Sequence, residues 1–248
     1  MDVNAARTLI ERWDHQQERY IADREERFTV IADVVTQVTA NDPTPLVLDL
    51  GCGPGSMSVR LANRLPKATI VGLDQDPVLL ALGRSCHQDL VRFVDLDLAS
   101  PGWSGELDLA GPVDAAVSTT ALHWIPEDRL GAGYEEVARL LRPGGVLVNG
   151  DNLYDEQPTV AALAAGVLDA RAARVGVTEN ENWTAWWAAV TAEPSLAEAI
   201  VERERRGARG GSTELSVRRH SELLLAAGFA EVGTVWQSGN DVVLVAVR

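Results

Sequence analysis

Cysteine is scarce in this chain: Cys52 and Cys86 are the only two in 248 residues. Two thiols cannot build a disulfide scaffold or a cysteine-rich zinc site, and their scarcity fits a reducing compartment. The four histidines stand at 15, 87, 123 and 220 without HExxH spacing, so the sequence gives no support to a metal centre. No run approaches twenty uninterrupted apolar residues, and the opening MDVNAARTLIERWDHQQERY is charged throughout. Neither a membrane span nor a secretory leader is expected, and the chain reads as cytoplasmic. Basic residues are also short, with 22 Lys and Arg against 36 Asp and Glu. A formal net charge of −14 argues against an extended surface for nucleic-acid phosphates, which needs Lys and Arg to displace counterions. The same field disfavours an anionic membrane and favours solubility.

What is present is a rhythm of short apolar runs and helical segments. Residues 5–40 place Leu9, Ile10, Trp13, Tyr20, Ile21, Phe28, Ile31, Ala32 and Val35 at helical spacing, which predicts one or two helices ended by NDPTP at 41–45. LVLDL then leads into the glycine cluster, and strands are predicted at 68–74, 90–97, 113–119 and 145–151 with helices between them. The runs are near-continuously apolar, as parallel strands covered on both faces require, and they point to an open α/β sheet. From about residue 157 to 205 the chain is Ala-rich and helical in character; it closes with a helix at 220–229 and a hairpin around Ser238-Gly239-Asn240. This divides the chain into N-terminal helices that are a candidate lid (1–45), a sheet core (46–151), a helical cap with the acceptor region (152–218), and a last helix and hairpin (219–248).

The strongest local signal is Asp49-Leu50-Gly51-Cys52-Gly53-Pro54-Gly55. Glycines permit a tight strand-to-helix turn and a close ligand approach, and the helix beyond offers unpaired N–H groups. Alone, the loop is a weak signal, open also to a dinucleotide fingerprint or a ligand-free turn. Asp74 ends the next strand, where a carboxylate can accept from ribose hydroxyls or simply cap a helix. Asp97 ends the third strand region and can accept from an adenine amino group; Asp95 lies on the same face, and the sequence does not separate the two.

Taken together, LVLDLGCGPGSMSVRLA, VGLDQDPVLLALG, VRFVDLDL, VSTTALHWI and ARLLRPGGVLV resemble the successive motifs of class I S-adenosylmethionine-dependent methyltransferases over residues 46–150. The resemblance implies a Rossmann-like, doubly wound, seven-stranded sheet, mostly parallel with an antiparallel last strand, carrying a helical cap. It implies S-adenosyl-L-methionine as cofactor, S-adenosyl-L-homocysteine as product, and methyl transfer to a small molecule, with an oxygen nucleophile ahead of nitrogen or carbon. Asp49, Gly51, Cys52, Gly53 and Gly55 would then surround the amino-acid end of the cofactor. Asp74 would hold the ribose, Gln75 would lie against the adenine, and Asp97 with Leu98 would receive its amino group. Ser118 and Thr119 would lie near the methionine portion, and Leu122-His123-Trp124 would border the sulfonium. Asp76 stands where many relatives carry Ser or Thr, a helix-capping position that aspartate serves equally well. Against NAD, the spacing is not GxGxxG, Pro54 sits inside the loop, and an acid directly before it is badly placed for a pyrophosphate.

The acceptor half is less specific. Seven tryptophans outnumber three phenylalanines and three tyrosines, and Trp183, Trp186 and Trp187 share one helical face. That face either packs a cap onto the sheet or walls an acceptor together with Trp124 and Trp13. His123, at the carboxyl edge of the sheet, is the candidate catalytic base, or else a neutral histidine bonded within its loop. Asp151 and His220 are further candidates to bind the acceptor. Arg203, Arg205, Arg206 and Arg209 reverse the local charge and are expected either in a solvated loop or as a clamp on an acceptor carboxylate. The LHW stretch is similar to that of trans-aconitate methyltransferases, which act on carboxylates. RNA as a substrate is disfavoured by charge and by STTALHW standing where adenine-N6 enzymes carry Asn-Pro-Pro-aromatic. A non-catalytic scaffold that keeps the cofactor fold is the other class of function, and the chain is expected as a monomer or homodimer.

Overall fold

In the computed structural model, which describes residues 2–207 and 212–248, the sheet order is β3-β2-β1-β4-β5-β7-β6. The strands are β1 (Leu46–Leu50), β2 (Thr69–Asp74), β3 (Val91–Asp95), β4 (Val113–Thr119), β5 (Leu141–Asn152), β6 (Glu231–Ser238) and β7 (Asp241–Val247). β1 to β5 run parallel, and β7 inserts antiparallel between β5 and β6. The sheet is therefore the mostly parallel, doubly wound one expected.

Both faces are covered, which is why the central strands read as unbroken apolar runs. On one face α2 (Arg24–Val38) and α3 (Ser56–Arg64) bring Phe28, Ile31, Met57 and Leu61 onto Val47, Val117 and Val148. On the other, α5 (Glu127–Leu140) and α9 (Val217–Ala226) bring Tyr134, Val137 and Leu224 onto Leu48, Leu147 and Leu244. A third cluster joins α1 (Val3–Glu18), α4 (Pro77–His87), α7 (Trp183–Thr191) and α8 (Ala197–Arg206) through Leu9, Leu79, Leu82, Trp186 and Leu196. The cap is thus seated beside β2 and β3. α6 (Pro158–Val175) packs weakly, without a single fully buried residue.

Some boundaries moved. β3 stops at Asp95, whose pairing with Asp74 is the last of the strand and is closed by the Leu96 N–H donating to the Asp74 carbonyl. β5 starts at Leu141, where pairing with Val113 and a Gly144 N–H bond to the Arg248 carbonyl draw the RPGG segment into the sheet edge. α9 starts at Val217, ahead of the expected His220, because Ser216 Oγ accepts from the Arg219 N–H as a cap. Asp76 caps α4 through Val78 and Leu79. Among the described residues no helix is long and apolar enough to cross a membrane.

Candidate functional site

A cavity of about 720 Å³ opens at the carboxyl ends of β1, β2 and β4, where an open α/β sheet reverses its winding. Its floor is the glycine loop. The N–H groups of Gly51 and Cys52 both donate to the Leu73 carbonyl, at 2.8 and 3.0 Å, folding the chain back over β2. Gly51 has φ +72°, and a Cβ there would stand 2.3 Å from the Ala121 side chain. Gly51, Cys52 and Gly53 border the cavity. Gly55 does not: at φ +94° it makes room for the Phe93 ring, so its role is packing and not ligand contact.

Asp74 is held by the N–H groups of Gly53, Gln75 and Asp76, at 2.7, 2.7 and 2.8 Å. Burial pushes its carboxyl up from the ordinary value, and these backbone donors offset part of that rise. Among the described residues Oδ2 receives only Gly53, and it keeps a lone pair for a further donor. Gln75 Oε1 is buried on the wall without a partner among the described residues. Asp97 and Leu98 also border the cavity, whereas Asp95 turns away to Arg206. That separates the two acids the sequence left level.

Asp49 lies under the loop, 1% exposed, with Oδ2 accepting from Ser58 Oγ at 2.5 Å. It supports the loop from beneath and does not border the cavity. Burial first, then the neighbouring Asp74 charge, raises its pKa to about 7 against the opposing Ser58 bond. Between the ordinary value of 3.8 and about 7 the folded chain therefore holds a proton that the unfolded chain has lost. Stability falls as pH rises through that window and levels off above it. Asp49→Asn, which imitates the protonated acid, should raise Tm by about 5 °C at pH 8 and hardly at all at pH 4, in melts at the two pH values. An equal shift at both pH values would contradict the assigned ionisation.

Across the cavity stands His123, 18% exposed at its side chain, with Nδ1 2.8 and 3.0 Å from the Asp151 carboxylate oxygens. Asp151 is fully buried, so it orients the imidazole and does not reach a ligand, which corrects the expectation that it binds the acceptor. Nδ1–H donating to Asp151 fixes the tautomer whose Nε2 is an acceptor. Trp124 follows, its ring centroid 5.0 Å from that of His123. Thr119 reaches the cavity, but Ser118 is buried and donates its Oγ to the Leu50 carbonyl, tying β4 to β1.

Two other expectations are corrected. His220 is 2% exposed and lies 2.7 Å from Tyr134 Oη; burial pushes the pKa of this imidazole down, and it serves the α5–α9 contact. Trp186 is fully buried in the third cluster with its Nε1–H donating to the Leu9 carbonyl. The helical face expected at 183, 186 and 187 is therefore split. Trp183 and Trp187 border the cavity with Trp13, whose ring comes within 3.8 Å of the Gly53 position, while Trp186 fastens α7 to α1. These indoles gather over the glycine loop and not beside His123.

The arginine segment is corrected as well. Arg203 Nε donates to Asp76 Oδ2 at 2.6 Å and its guanidinium lies 3.9 Å from the Trp187 ring centroid. Arg206 forks onto Asp95 and also reaches the Gln75 carbonyl. Arg205 pairs with Glu202, and Arg209 lies outside the described residues.

The sequence reading missed Arg24. It borders the cavity yet is 4% exposed, and among the described residues only Asp14 accepts from it, at 2.9 Å from Nη1. Asp14 also accepts from Ser56 Oγ at 2.6 Å, so the guanidinium stands over the first residue of α3 and the end of the glycine loop. Burial lowers the Arg24 pKa and the Asp14 charge opposes this, leaving a paired, oriented cation. A signal existed: Arg24 shares the stripe of Phe28, Ile31 and Val35 at i, i+4, i+7 and i+11, a charge on an otherwise apolar face. Gln17, Tyr20, Ile21 and Asn152 are also part of the wall. Among the described residues no cluster of three or more His, Cys, Asp or Glu is placed to hold a metal ion.

Known proteins resemble this chain in sequence and in fold. Residues 47–145 match the family model described as a methyltransferase domain. A trans-aconitate 2-methyltransferase of Methylobacterium nodulans is 31% identical over 211 residues, 80% of this chain and 76% of that protein. Its namesake in Azoarcus sp. (strain BH72) is 34% identical over 64% of this chain but only 61% of its own length. Among solved structures, magnesium protoporphyrin IX methyltransferase of Synechocystis PCC 6803, with bound S-adenosylhomocysteine, aligns at TM-score 0.59 and 19% identity. That alignment covers 97% of this chain and 94% of the other and shows a common fold.

Proposed function

This chain belongs to the class I S-adenosylmethionine-dependent methyltransferases, within the trans-aconitate methyltransferase-like group, and we propose that it methylates an oxygen nucleophile on a small molecule. The observation that carries this reading is one continuous cavity that runs from Asp97 and Asp74, past the glycine loop, to His123 on Asp151. A cofactor and an acceptor would meet along that line.

The residues present suit S-adenosylmethionine. Asp74 Oδ2 and Gln75 Oε1 are acceptors facing the cavity, as ribose hydroxyls and an adenine amino group require. Arg24 and the first turn of α3, whose cap residue Gly55 has no side chain to offer, suit the cofactor carboxylate. Trp13, Trp183 and Trp187 would cover it from outside. A dinucleotide suits the loop poorly. The N–H groups of Gly51, Cys52, Gly53 and Gly55 are already bonded within the protein and Pro54 has none, leaving no loop amide for a pyrophosphate.

When bound, S-adenosylmethionine supplies an electrophilic methyl group on a positive sulfur. The chain's own part is to hold the acceptor oxygen in line, exclude water and take the proton. His123 Nε2 is the group for that proton, with Asp151 stabilising the imidazolium that results.

Calorimetric titration of the purified protein with S-adenosylhomocysteine, beside NAD, tests the cofactor. Saturable binding of the former alone is expected, weakened about 10- to 100-fold by Asp74→Ala through loss of a charge-assisted bond. A folded protein that binds no S-adenosylhomocysteine would overturn the reading.

A further inference from the structure

Resting on the methyltransferase reading above, we infer that the acceptor is an uncharged hydroxyl compound of phenolic type, and that this chain has departed from the polycarboxylate named for its relatives.

The first ground is where the positive charge sits. A trianion entering a cavity must meet cations there, because a buried carboxylate left unpaired loses its hydration without repayment. None of the described arginines of the wall stands at the acceptor end. Arg24 is held by Asp14 at the glycine loop, and Arg203 and Arg206 are held by Asp76 and Asp95. The last two stand at the ends of β2 and β3. β3 lies three strand spacings from β4, roughly 14 Å from the end that carries His123. The chain's single lysine, Lys67, precedes β2 at the opposite edge of the sheet. The carboxylate nearest that end, Asp151, is buried behind His123, within a protein of net charge −14. That field repels a polyanion.

The second ground is the base. A carboxylic acid, with an ordinary pKa near 4, reaches neutral solution already ionised, and its methylation asks for no proton acceptor. A phenol, at about 10, arrives with its proton. The His123–Asp151 pair serves the second case and is not required by the first. Asp151 spends both oxygens at the fully buried end of β5 to orient one imidazole, and one of them also takes the Asn152 N–H.

The third ground is the wall beside His123. Trp124 and Ile125, next to His123 in the chain, present aromatic and apolar surface, and Trp124 is half exposed beside the His123 ring. In the step so assigned, a lone pair of the hydroxyl oxygen forms the O–CH3 bond. The S–CH3 bonding pair returns to sulfur, which becomes a neutral thioether, and the hydroxyl proton passes to His123 Nε2.

The test uses the full chain, with S-adenosylhomocysteine binding first established by titration so that failure of the family reading is seen separately. Product S-adenosylhomocysteine is then measured with S-adenosylmethionine and, in turn, catechol, resorcinol, 1-naphthol, citrate and trans-aconitate. At least one phenol should be turned over with kcat/KM about 100-fold or more above trans-aconitate, and that transfer should be lost in His123→Asn. The inference is overturned if trans-aconitate outpaces every phenol, if no phenol is methylated, or if phenol methylation is indifferent to His123→Asn.

Discussion

Replacing His123 with asparagine should lower kcat for a hydroxyl acceptor by about 10²- to 10⁴-fold while S-adenosylhomocysteine binds as before. The side chain meets the cavity at one nitrogen and Asp151 at the other, so its loss removes the proton acceptor and leaves the glycine loop, Asp74 and Arg24 in place. Asparagine can still donate to Asp151, which keeps the buried carboxylate satisfied and the fold intact. Rate and affinity therefore part company. Steady-state kinetics beside calorimetry read both, and a matched loss of affinity and turnover would reassign His123 to binding. Raising the pH should restore part of the rate, because a phenol that ionises in solution no longer needs the imidazole.

The second large effect is expected at Arg24. Arg24→Gln should weaken S-adenosylhomocysteine binding about 10- to 100-fold, the worth of one charge-assisted pair in a shielded site. It should leave 5′-methylthioadenosine unchanged, since that molecule shares the adenosine and thioether but has no amino-carboxylate. Arg24→Lys should recover part of the loss, though a point charge lacks the planar fork. The comparison separates roles that a single titration confuses. A structural lesion would weaken both ligands, because Arg24 also lies over the Phe28 ring and pairs with Asp14 beside Ser56. An effect confined to acceptor KM would move the guanidinium to the other half of the cavity.

The two residues differ in how far the sequence exposed them. His123 stands directly after a strand that reads as a strand, at the edge where such sheets bind ligands. Its partner was a candidate too, but for the wrong task. His123 and Asp151 are 28 residues apart, and only the parallel pairing of β4 with β5, Thr119 beside Gly150, brings the two strand ends together. The same pairing buries Asp151, which turns a presumed acceptor ligand into the support of another side chain. Arg24 was hidden for a different reason. In ADREERF it sits among charges that read as solvent-facing, and its place on the stripe of Phe28, Ile31 and Val35 marks a covered face without saying that this face lies over the loop that opens α3.

What the sequence determined by itself is whatever depends on neighbouring residues. Apolar runs declare doubly covered strands, glycines declare the turn after Leu50, and Asp74 follows its strand because a carboxylate there satisfies the adjoining Gln75 and Asp76 amides. Those arrangements are closed within a few residues, so they are legible in order along the chain. The tertiary structure alone decided which side of each helix is covered. Trp186 went into the core between α1 and α4 while Trp183 and Trp187, on the same turn, were left at the cavity. Arg203 and Arg206 were spent on Asp76 and Asp95, more than a hundred residues away in the chain. Burial and ion pairing are properties of what arrives from elsewhere, and no spacing within a helix records it.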